Sequence, residues 1–443
     1  MGLQNKLGER GIEMGEEFVN AINLMENSSK NLFITGRAGT GKSTLLSYFR
    51  SITKKNVVVL APTGVAALNV KGQTIHSFFK FRPDITVEGV RRIGGYLSRQ
   101  YKKIDTIIID EISMVRADLL DCIDRFMRIN GNDPTSPFGA VQMIFIGDLY
   151  QLPPVVSSGE MEAFKKSYAS PYFFDSYAFN TINMELIELN TNYRQKDREF
   201  IDILNAIRSN TLSDEQLRLL NSRVRPNFDK NSMAITVTTT NRQADEINRL
   251  HLSNIPETLY TYKGAIAGDF DKNILPADER LELKNGAQIM MVNNNQDGLW
   301  VNGSIGRIKS INHTDGENDS VDVLLANGNE INVTPHTWEL FKFGFDAEKG
   351  KMESKKVGSF RQYPIMLAWA VTIHKSQGKT FDEIIIDIGH GTFAHGQLYV
   401  AMSRCKTLEG IILRQPIERR HILLDQRIIQ FMNSYKSRIM QAK

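Results

Sequence analysis

A glycine-rich loop, GRAGTGKS, gives the most specific chemical signal in the sequence and runs from Gly36 to Ser43. It matches G-x-x-x-x-G-K-[ST], a pattern in which backbone N–H groups and the start of the next helix surround a phosphate chain. Lys42 offers a cation to the β- and γ-phosphates, and the Ser43 hydroxyl can bind Mg²⁺. The loop therefore predicts a nucleotide site that contains Gly36, Ala38, Gly39, Thr40, Gly41, Lys42, Ser43 and Thr44.

Two adjacent carboxylates end the apolar run TIIIDE at residues 106–111. Asp110 follows a predicted strand, so its side chain falls at the carboxyl edge of the sheet, where it can bind Mg²⁺, usually through water. Glu111 can orient and deprotonate an attacking water molecule. A switch protein or a small-molecule kinase would also use the loop and Asp110, whereas Glu111 favours hydrolysis. The guanine-reading run N-K-x-D is absent from the sequence, which weakens a GTPase interpretation.

A third predicted strand ends in GDLYQLPPV at residues 147–155. Gln151 follows the strand edge, from which its amide can reach a γ-phosphate. Alternatively, the segment is a polar turn that Pro153 and Pro154 stiffen. The residues alone leave both interpretations open.

Apolar strand-like runs must position these groups, and they alternate with helical patterns. Such runs lie at residues 31–36, 57–62, 106–111 and 142–148, and a second set lies at 233–241, 364–372 and 383–389. This rhythm predicts an α/β fold with two domains, each a parallel sheet covered by helices. Between residues 293 and 360, Asn-Gly turns separate strand-like runs as in hairpins, which predicts a small inserted β-barrel.

The bulk composition indicates the general class of protein but does not identify its function. A chain of 443 residues predicts two or three domains, and a net charge of +4 is too small to indicate a nucleic-acid partner. Cys122 and Cys405 show no disulfide or zinc spacing, which favours a reducing compartment. Neither a membrane-spanning run nor a targeting segment is visible. We therefore expect a soluble protein of the bacterial cytoplasm or of the nucleus.

Eight motifs resemble, in chain order, those of superfamily-one helicases: GRAGTGKS, APTGVAALN, GQTIHSFF, IIIDEISM, FIGDLYQLPPV, LNTNYRQ, WAVTIHKSQGKTFD and LYVAMSRCK. More narrowly, they resemble the Pif1 family of RecD-like 5′-to-3′ DNA helicases over roughly residues 30–410. The resemblance implies two RecA-like domains with ATP in the cleft between them and DNA across their tops. It places the first domain at 1–180, with a small wedge insertion around 64–100, the second at 181–293 and 361–443, and the barrel at 294–360.

The resemblance also implies roles for single residues. Arg194 in NYRQ and Arg404 in AMSRC correspond to arginine fingers from the second domain, which stabilise the transferred phosphoryl group only when the cleft is closed. Without their motifs, either arginine would be an ordinary surface ion pair. The predicted catalytic set is Lys42, Glu111, Gln151, Arg194 and Arg404, and Gly378 and Lys379 join the nucleotide contacts. The family commonly reads adenine with a Gln before the phosphate loop, but GIEMGEEFVNAI contains none.

The segment TIHKSQG is predicted to connect DNA to the nucleotide, because hydroxyl, imidazole and ammonium donors directly precede Gln377. Such donors bind phosphates without reading base sequence. His76 and Phe79 are candidates for base stacking, although Phe79 is equally a candidate for the core. The predicted DNA contacts are Thr63, Gly64, His76, Phe79, Thr239, Asn241, Thr372, His374, Lys375 and Ser376.

Together these assignments predict an ATP- and Mg²⁺-dependent DNA helicase that translocates 5′-to-3′ on single-stranded DNA as a monomer. Its expected partners are forks, junctions and G-quadruplex DNA, and the family implies roles in DNA repair, recombination and telomere maintenance. A wedge that splits the duplex is expected near residues 80–99. The alternatives are a single-strand nucleic-acid translocase, an RNA-directed helicase and an ATP-gated DNA-binding clamp.

Overall fold

The computed structural model describes residues 15–441, apart from residues 158, 196, 227–231, 271, 296, 313–318, 347–350, 390 and 393. Residues 1–14, which we assigned to the first domain, lie outside the described part. Within that part, no helix is both long and apolar enough to cross a lipid bilayer.

Fourteen helices and twenty strands make up the described chain. The helices are α1 Glu16–Asn27, α2 Lys42–Ile52, α3 Gly64–Asn69, α4 Ile75–Phe79, α5 Gly95–Tyr101, α6 Ala117–Asn130, α7 Met161–Ser167, α8 Tyr177–Asn180, α9 Arg198–Ser209, α10 Asp214–Asn221, α11 Asn241–Ser253, α12 Ile373–Ser376, α13 Gln397–Met402 and α14 Gln426–Gln441. The strands are β1 Asn31–Gly36, β2 Val57–Ala61, β3 Gln73–Thr74, β4 Thr106–Ile109, β5 Gln142–Gly147, β6 Met184–Leu189, β7 Ile235–Thr238, β8 Tyr260–Lys263, β9 Ala265–Gly268, β10 Arg280–Leu283, β11 Gln288–Met291, β12 Ile305–Asn312, β13 Ser320–Leu325, β14 Glu330–Val333, β15 His336–Asp346, β16 Lys351–Gln362, β17 Ile365–Leu367, β18 Ala370–Thr372, β19 Ile384–Asp387 and β20 Ile411–Leu413.

The first lobe is built on a parallel sheet of order β3-β2-β4-β5-β1-β6. Its central strands read as continuous apolar runs because helices cover both faces. On one face α1 presents Phe18, Ala21, Ile22 and Met25, a spacing that forms a single apolar stripe on a helix. The boundary that we predicted at residue 180 is wrong in one respect: β6 pairs with β1 through all six of its residues, so the first sheet extends to Leu189.

The second lobe is built on a smaller parallel sheet of order β18-β7-β19-β20. Helices α9 and α13 pack on it, and the chain returns to it after a long insertion. The predicted fold class, an α/β protein with two RecA-like parallel-sheet lobes, is confirmed.

The insertion between β7 and β18 is larger than the predicted barrel at 294–360. It contains an antiparallel sheet of order β14-β13-β12-β11-β17, together with the sheets β15-β16-β9 and β10-β8. Strands β11 and β17 lie outside the predicted limits, yet they pair with each other at the edge of the five-stranded sheet. The insertion therefore runs from β8 to β17, although the division of the chain into domains at these limits remains a proposal.

Two elements cross back from the second half of the chain to the first lobe. In the β15–β16 hairpin, the Phe343 ring lies edge-on to Phe78, and the Met352 N–H donates to Asn56 Oδ1 over 3.0 Å. In α14, the Phe431 ring stacks on Phe174 with centroids 4.3 Å apart. These contacts attach the insertion and the last helix to the first lobe.

Candidate active site

The cleft encloses a cavity of about 990 Å³, lined from both lobes. The lining residues are Phe18, Ala38, Gly39, Thr40, Gly41, Lys42, Ser43, Thr44, Glu111, Gln151, Tyr193, Arg194, Gly378, Thr380, Arg404 and Lys406. The structure thus brings together nearly all the predicted nucleotide residues. Gly36 lies just beneath the loop, and Lys379 turns away, because its Nζ donates to Asn302 Oδ1 over 2.9 Å. The Lys379 side chain does not line the cavity in this structure, and a nucleotide contact by Lys379 remains a prediction.

The phosphate loop follows β1 at the carboxyl edge of the first sheet, where parallel sheets bind ligands. Gly39 and Gly41 have φ values of 85° and 84°, a left-handed conformation that favours glycine and turns backbone N–H groups inward. The Lys42 ammonium donates to Gly36 O over 2.7 Å and lies over the loop. Burial lowers the pKa of Lys42, against the opposing attraction of Asp148 and Glu111. The loop thus presents a cation and inward donors to an anion.

Two adjacent carboxylates follow β4: Asp110 is buried, and Glu111 is half-buried and lines the cavity. Burial and the adjacent Glu111 raise the pKa of Asp110 to about 7, and burial raises the pKa of Glu111. Glu111 has a positive φ of 51°, a strained conformation that is common at functional sites. The raised pKa values show that these carboxylates lack enough neighbouring positive charge to balance them. Mg²⁺ prefers carboxylate and hydroxyl oxygens and would supply that charge, so the residues present fit Mg²⁺. The Ser43 hydroxyl faces the same cavity.

Gln151 is held at both ends of its amide. Its Nε2 donates to Asp148 Oδ2 over 3.4 Å, and its Oε1 accepts from Gln377 Nε2 over 3.2 Å. The same Gln377 Nε2 lies 3.5 Å from Glu111 Oε2. Gln377 comes from the second lobe, so this segment after α12 touches two residues of the first-lobe site.

Arg404 enters the cavity from the end of α13 and is fully buried. Its Nε donates to Val400 O over 2.9 Å and its Nη2 to Ser403 Oγ over 2.7 Å, both uncharged acceptors. Burial and the neighbouring Arg194 lower the pKa of Arg404 to about 9. A fully buried guanidinium group next to a half-buried one is costly unless an anion joins them. The pair is therefore a strong candidate for binding phosphate.

Arg194 also lines the cavity, but our assignment of it to the second lobe was wrong. It lies on the connection that follows β6 of the first sheet, and the N–H of its neighbour Tyr193 donates to Gly39 O over 2.9 Å. The Arg194 Nη1 donates to Ser403 O over 3.3 Å. The motif NYRQ is thus a bridge between the phosphate loop and the end of α13.

The predicted DNA contacts lie at the carboxyl edges of both parallel sheets. Thr63, Thr240 and Thr372 cap α3, α11 and α12, and each side chain accepts a backbone N–H three residues ahead. Exposed residues at these edges are Thr63, Asn241, His374 and Lys375, while His76 is half-buried and Thr239 and Thr372 are buried.

Three predicted DNA contacts are not available to a strand in this structure. Phe79 was wrong as a stacking residue, because its ring is 1% exposed and packs against Phe126 with centroids 5.0 Å apart. The Ser376 hydroxyl is buried and donates to Ile373 O. Gly64 lies under the insertion, because a Cβ at this position would be 2.1 Å from Ile274 Cγ2.

Sequence reasoning missed several residues of the site. Asp148 ends β5 just as Asp110 ends β4, so the strand-edge signal was present in GDLYQ. Its partner Arg208, which lies 3.2 Å away on α9, carries no local signal. Tyr399 lies inside LYVAMSR, but only the structure shows its hydroxyl accepting the Ala38 N–H over 3.1 Å.

Comparison with known proteins agrees with this geometry. Residues 14–218 match the PIF1-like helicase family, and residues 367–411 match the UvrD-like helicase C-terminal domain. The chain is 30% identical to the ATP-dependent DNA helicase Pif1 of Bdellovibrio bacteriovorus, across 96% of this chain and 93% of that protein. Several eukaryotic relatives are longer, and the chain spans about 60% of their length.

Solved structures of similar proteins cover the whole architecture. Pif1 from Bacteroides sp. in complex with ADP-AlF4 is 35% identical, with a TM-score of 0.88 over 96% of this chain and 98% of that chain. Bacteroides Pif1 bound to single-stranded DNA is 36% identical, with a TM-score of 0.69 over the same shares. A phosphate loop faced by an arginine from a second parallel-sheet lobe, with relatives of this closeness, places the chain in the Pif1 family of ATP-dependent DNA helicases.

Proposed function

We propose that the protein hydrolyses ATP in the cleft and uses the cleft's opening and closing to move 5′-to-3′ along single-stranded DNA. The observation that carries this proposal is the placement of Arg404. It comes from the second lobe, yet it lines the cavity formed by the first-lobe phosphate loop. Closure of the lobes is then required for full stabilisation of the transferred phosphoryl group.

The residues of the cavity divide the work of hydrolysis. Lys42 and the loop N–H groups hold the phosphates, Glu111 orients the attacking water and accepts its proton, and Gln151 contacts the γ-phosphate. Arg194 and Arg404 stabilise the charge that develops on the transferred group. Mg²⁺, when bound, would be held by Ser43 and, through water, by Asp110, and it supplies positive charge to the phosphate oxygens.

The adenine base lies, in this proposal, against aromatic residues rather than against a Gln. Phe18 of α1 and Tyr193 line the end of the cavity beside the loop. The Tyr193 ring is 3.6 Å from the position that a Cβ of Gly41 would occupy, so it forms a platform over the loop. Stacking on such a ring would hold a base without identifying it by hydrogen bonds. We expect Tyr193→Ala to raise KM for ATP with a smaller change in kcat.

DNA lies across the carboxyl edges of the two sheets, with one contact group on each lobe. On the first lobe the group is Thr63, Gly64 and His76; on the second it is Thr239, Asn241, Thr372, His374 and Lys375. The second group is joined to the site by Gln377, which follows α12 directly and contacts Gln151 and Glu111. Opening and closing of the cleft would change the distance between the two groups, which is the movement that stepping requires.

Binding of DNA must displace part of the insertion. Ile274 covers Gly64, so a phosphate cannot reach that amide in this arrangement. The lower TM-score against the DNA-bound relative, 0.69 compared with 0.88 for the complex with ADP-AlF4, is consistent with such a rearrangement. We infer that the structure described here is the DNA-free arrangement.

The decisive experiment measures phosphate release with and without single-stranded DNA, followed by strand displacement. We expect DNA to stimulate hydrolysis, and Glu111→Gln to abolish turnover while ATP and DNA still bind. Near-normal hydrolysis by Glu111→Gln would remove Glu111 from its catalytic role. Absence of any hydrolysis by the parent protein, with ATP-dependent DNA binding retained, would favour a clamp.

Direction and substrate are tested with matched partial duplexes. Duplexes with a 5′ tail, a 3′ tail or a fork are compared in DNA, RNA and hybrid form. Faster displacement on 5′-tailed and forked DNA supports the proposal, whereas a preference for 3′ tails contradicts the direction. Stronger unwinding of RNA would contradict the assignment of DNA as the substrate.

A further inference from the structure

A tyrosine of the second lobe touches the phosphate loop directly. The Tyr399 hydroxyl oxygen accepts a hydrogen bond from the Ala38 N–H over 3.1 Å. Tyr399 lies in α13 and is 3% exposed, and Ala38 is also buried. The bond is therefore shielded from water, where losing it leaves an amide without an acceptor.

The contact lies within an apolar interface that both lobes share. Ala38 and Leu152 of the first lobe belong to the core cluster of the second lobe, together with Tyr399. Burial raises the pKa of Tyr399 to about 12, so the phenol is neutral at ordinary pH. Tyr399 influences the pKa of both Arg194 and Arg404, so it lies near the two arginines of the site.

Tyr399 and Arg404 are rigidly connected. The Ser403 N–H donates to Tyr399 O over 2.9 Å, and the Arg404 Nε donates to Val400 O over 2.9 Å. The guanidinium is thus fixed to the same short helix that carries the phenol. The position of α13 along the phosphate loop consequently sets where Arg404 enters the cavity.

We propose that Tyr399 is a positioning residue for ATP hydrolysis, whose hydroxyl holds the Ala38 N–H and thereby fixes Arg404 relative to the phosphate loop. This inference rests on the proposed role of Arg404. Loss of the Tyr399 hydroxyl should raise the free energy of the transition state more than that of bound ATP, because Arg404 acts on charge that develops in the transition state. A single buried hydrogen bond of this kind corresponds to about a threefold to tenfold change in rate.

Tyr399→Phe tests the inference, since it keeps the ring and removes only the hydroxyl. With the full-length protein and saturating single-stranded DNA, we expect kcat to fall about threefold to tenfold while KM for ATP changes by less than about twofold. Affinity for ADP should be unchanged, and affinity for ADP with aluminium fluoride should fall by the same factor as kcat/KM. A general loss of structure would instead lower the affinity for both ligands by a similar factor.

Tyr168→Phe is the matched control. Its hydroxyl donates to Asp121 Oδ2 over 2.9 Å within the first lobe, and Tyr168 does not line the cavity. This variant also removes one tyrosine hydroxyl that makes a hydrogen bond, but at a half-buried position away from the nucleotide, so any loss of melting temperature it shows is separate from the site. Its kcat and its affinity for the aluminium fluoride complex should remain those of the parent.

A cycle with Arg404→Lys separates this inference from the proposed function. If Tyr399 acts through Arg404, Tyr399→Phe should lower kcat by less than about twofold in the Arg404→Lys background. An equal loss in both backgrounds would overturn the inference, as would an unchanged kcat in Tyr399→Phe. A lower KM with unchanged kcat would also overturn it, because the hydroxyl would then compete with phosphate for the amide. Normal hydrolysis by Arg404→Lys alone would instead overturn the role of the arginine on which the inference rests.

Discussion

A buried ion pair joins the lobes behind the nucleotide cavity, and removing its cation should destabilise the protein strongly. Asp148 at the end of β5 is completely buried, and Arg208 of α9 approaches it to 3.2 Å with a side chain that is 11% exposed. The guanidinium also lies 3.9 Å from the centre of the Tyr150 ring. The perturbation is Arg208→Met, which keeps the apolar stem and leaves the carboxylate without this partner.

The size of the effect follows from what remains around Asp148. Removing one member of a buried pair costs about 3–5 kcal/mol. Asp148 still accepts the Tyr150 N–H and the Gln151 amide, and Lys42 still attracts it, so we expect the lower end of this range. About 3 kcal/mol corresponds to a fall of roughly 6–12 °C in the melting temperature of a lobe of this size.

Thermal melting of four variants, Arg208→Met, Asp148→Asn, their double variant and Arg242→Met, tests this reasoning. Asp148→Asn combined with Arg208→Met removes both charges, so the double variant should be more stable than the sum of the single losses predicts. Arg242→Met is the control, because Arg242 pairs with Glu246 on an exposed helix face and should not change the melting temperature measurably. A melting temperature of Arg208→Met within about 2 °C of the parent, or strict additivity in the double variant, would refute a buried pair between the lobes.

The remaining predictions concern the loop, the final helix and the insertion. Gly39→Ala should raise KM for ATP in a steady-state assay, because φ is 85° and the new Cβ would be 2.6 Å from the Arg194 Cβ; an unchanged KM would contradict the loop geometry. Phe431→Ala should cost about 2–3 kcal/mol in thermal melting, less than a fully buried ring, since its ring packs on the aromatic cluster of the first lobe. Ile274→Ser should tighten binding of labelled single-stranded DNA in an anisotropy titration, because it uncovers Gly64; weaker binding would contradict that.

The central strands and the phosphate loop were predictable because their signals are local. Buried parallel strands are short continuous apolar runs, and the loop is one contiguous motif. β6 was not assigned to the first lobe because it is an edge strand: glutamates interrupt its apolar run MELIEL, and half of its positions are only partly buried. β11 and β17 have four and three residues, too few for periodicity, and only long-range pairing places them in the insertion.

The missed site residues differ in kind from the predicted ones. Nothing in REFIDILNAIRS distinguishes Arg208 from a solvent-facing arginine on an amphipathic helix, because its role depends on which helix face meets the other lobe. Phe79 shows the opposite error. It is the last residue of the motif GQTIHSFF, from which we expected DNA contacts, yet α4 is only five residues long and both of its phenylalanines turn into the core. Motif membership identifies a segment, whereas packing decides which side chains of that segment reach the ligand.

Within the apolar interface between the lobes, three polar contacts lie next to the nucleotide cavity. Tyr399 meets Ala38, Arg208 meets Asp148, and Gln377 meets Gln151, so each contact joins the second lobe to a residue at or next to the nucleotide. When the cleft opens, water reaches the uncharged groups and replaces their hydrogen bonds, so breaking these bonds costs little, although losing one inside the closed cleft leaves a group without a partner. Two of the three contacts are of this type, so they permit the repeated opening that the proposed function requires. The buried ion pair fixes α9 against the end of β5 at the back of the cleft. In the proposed mechanism, a phosphate that binds Gln151 or the loop would therefore shift the second lobe, and with it the segment from Thr372 to Gln377.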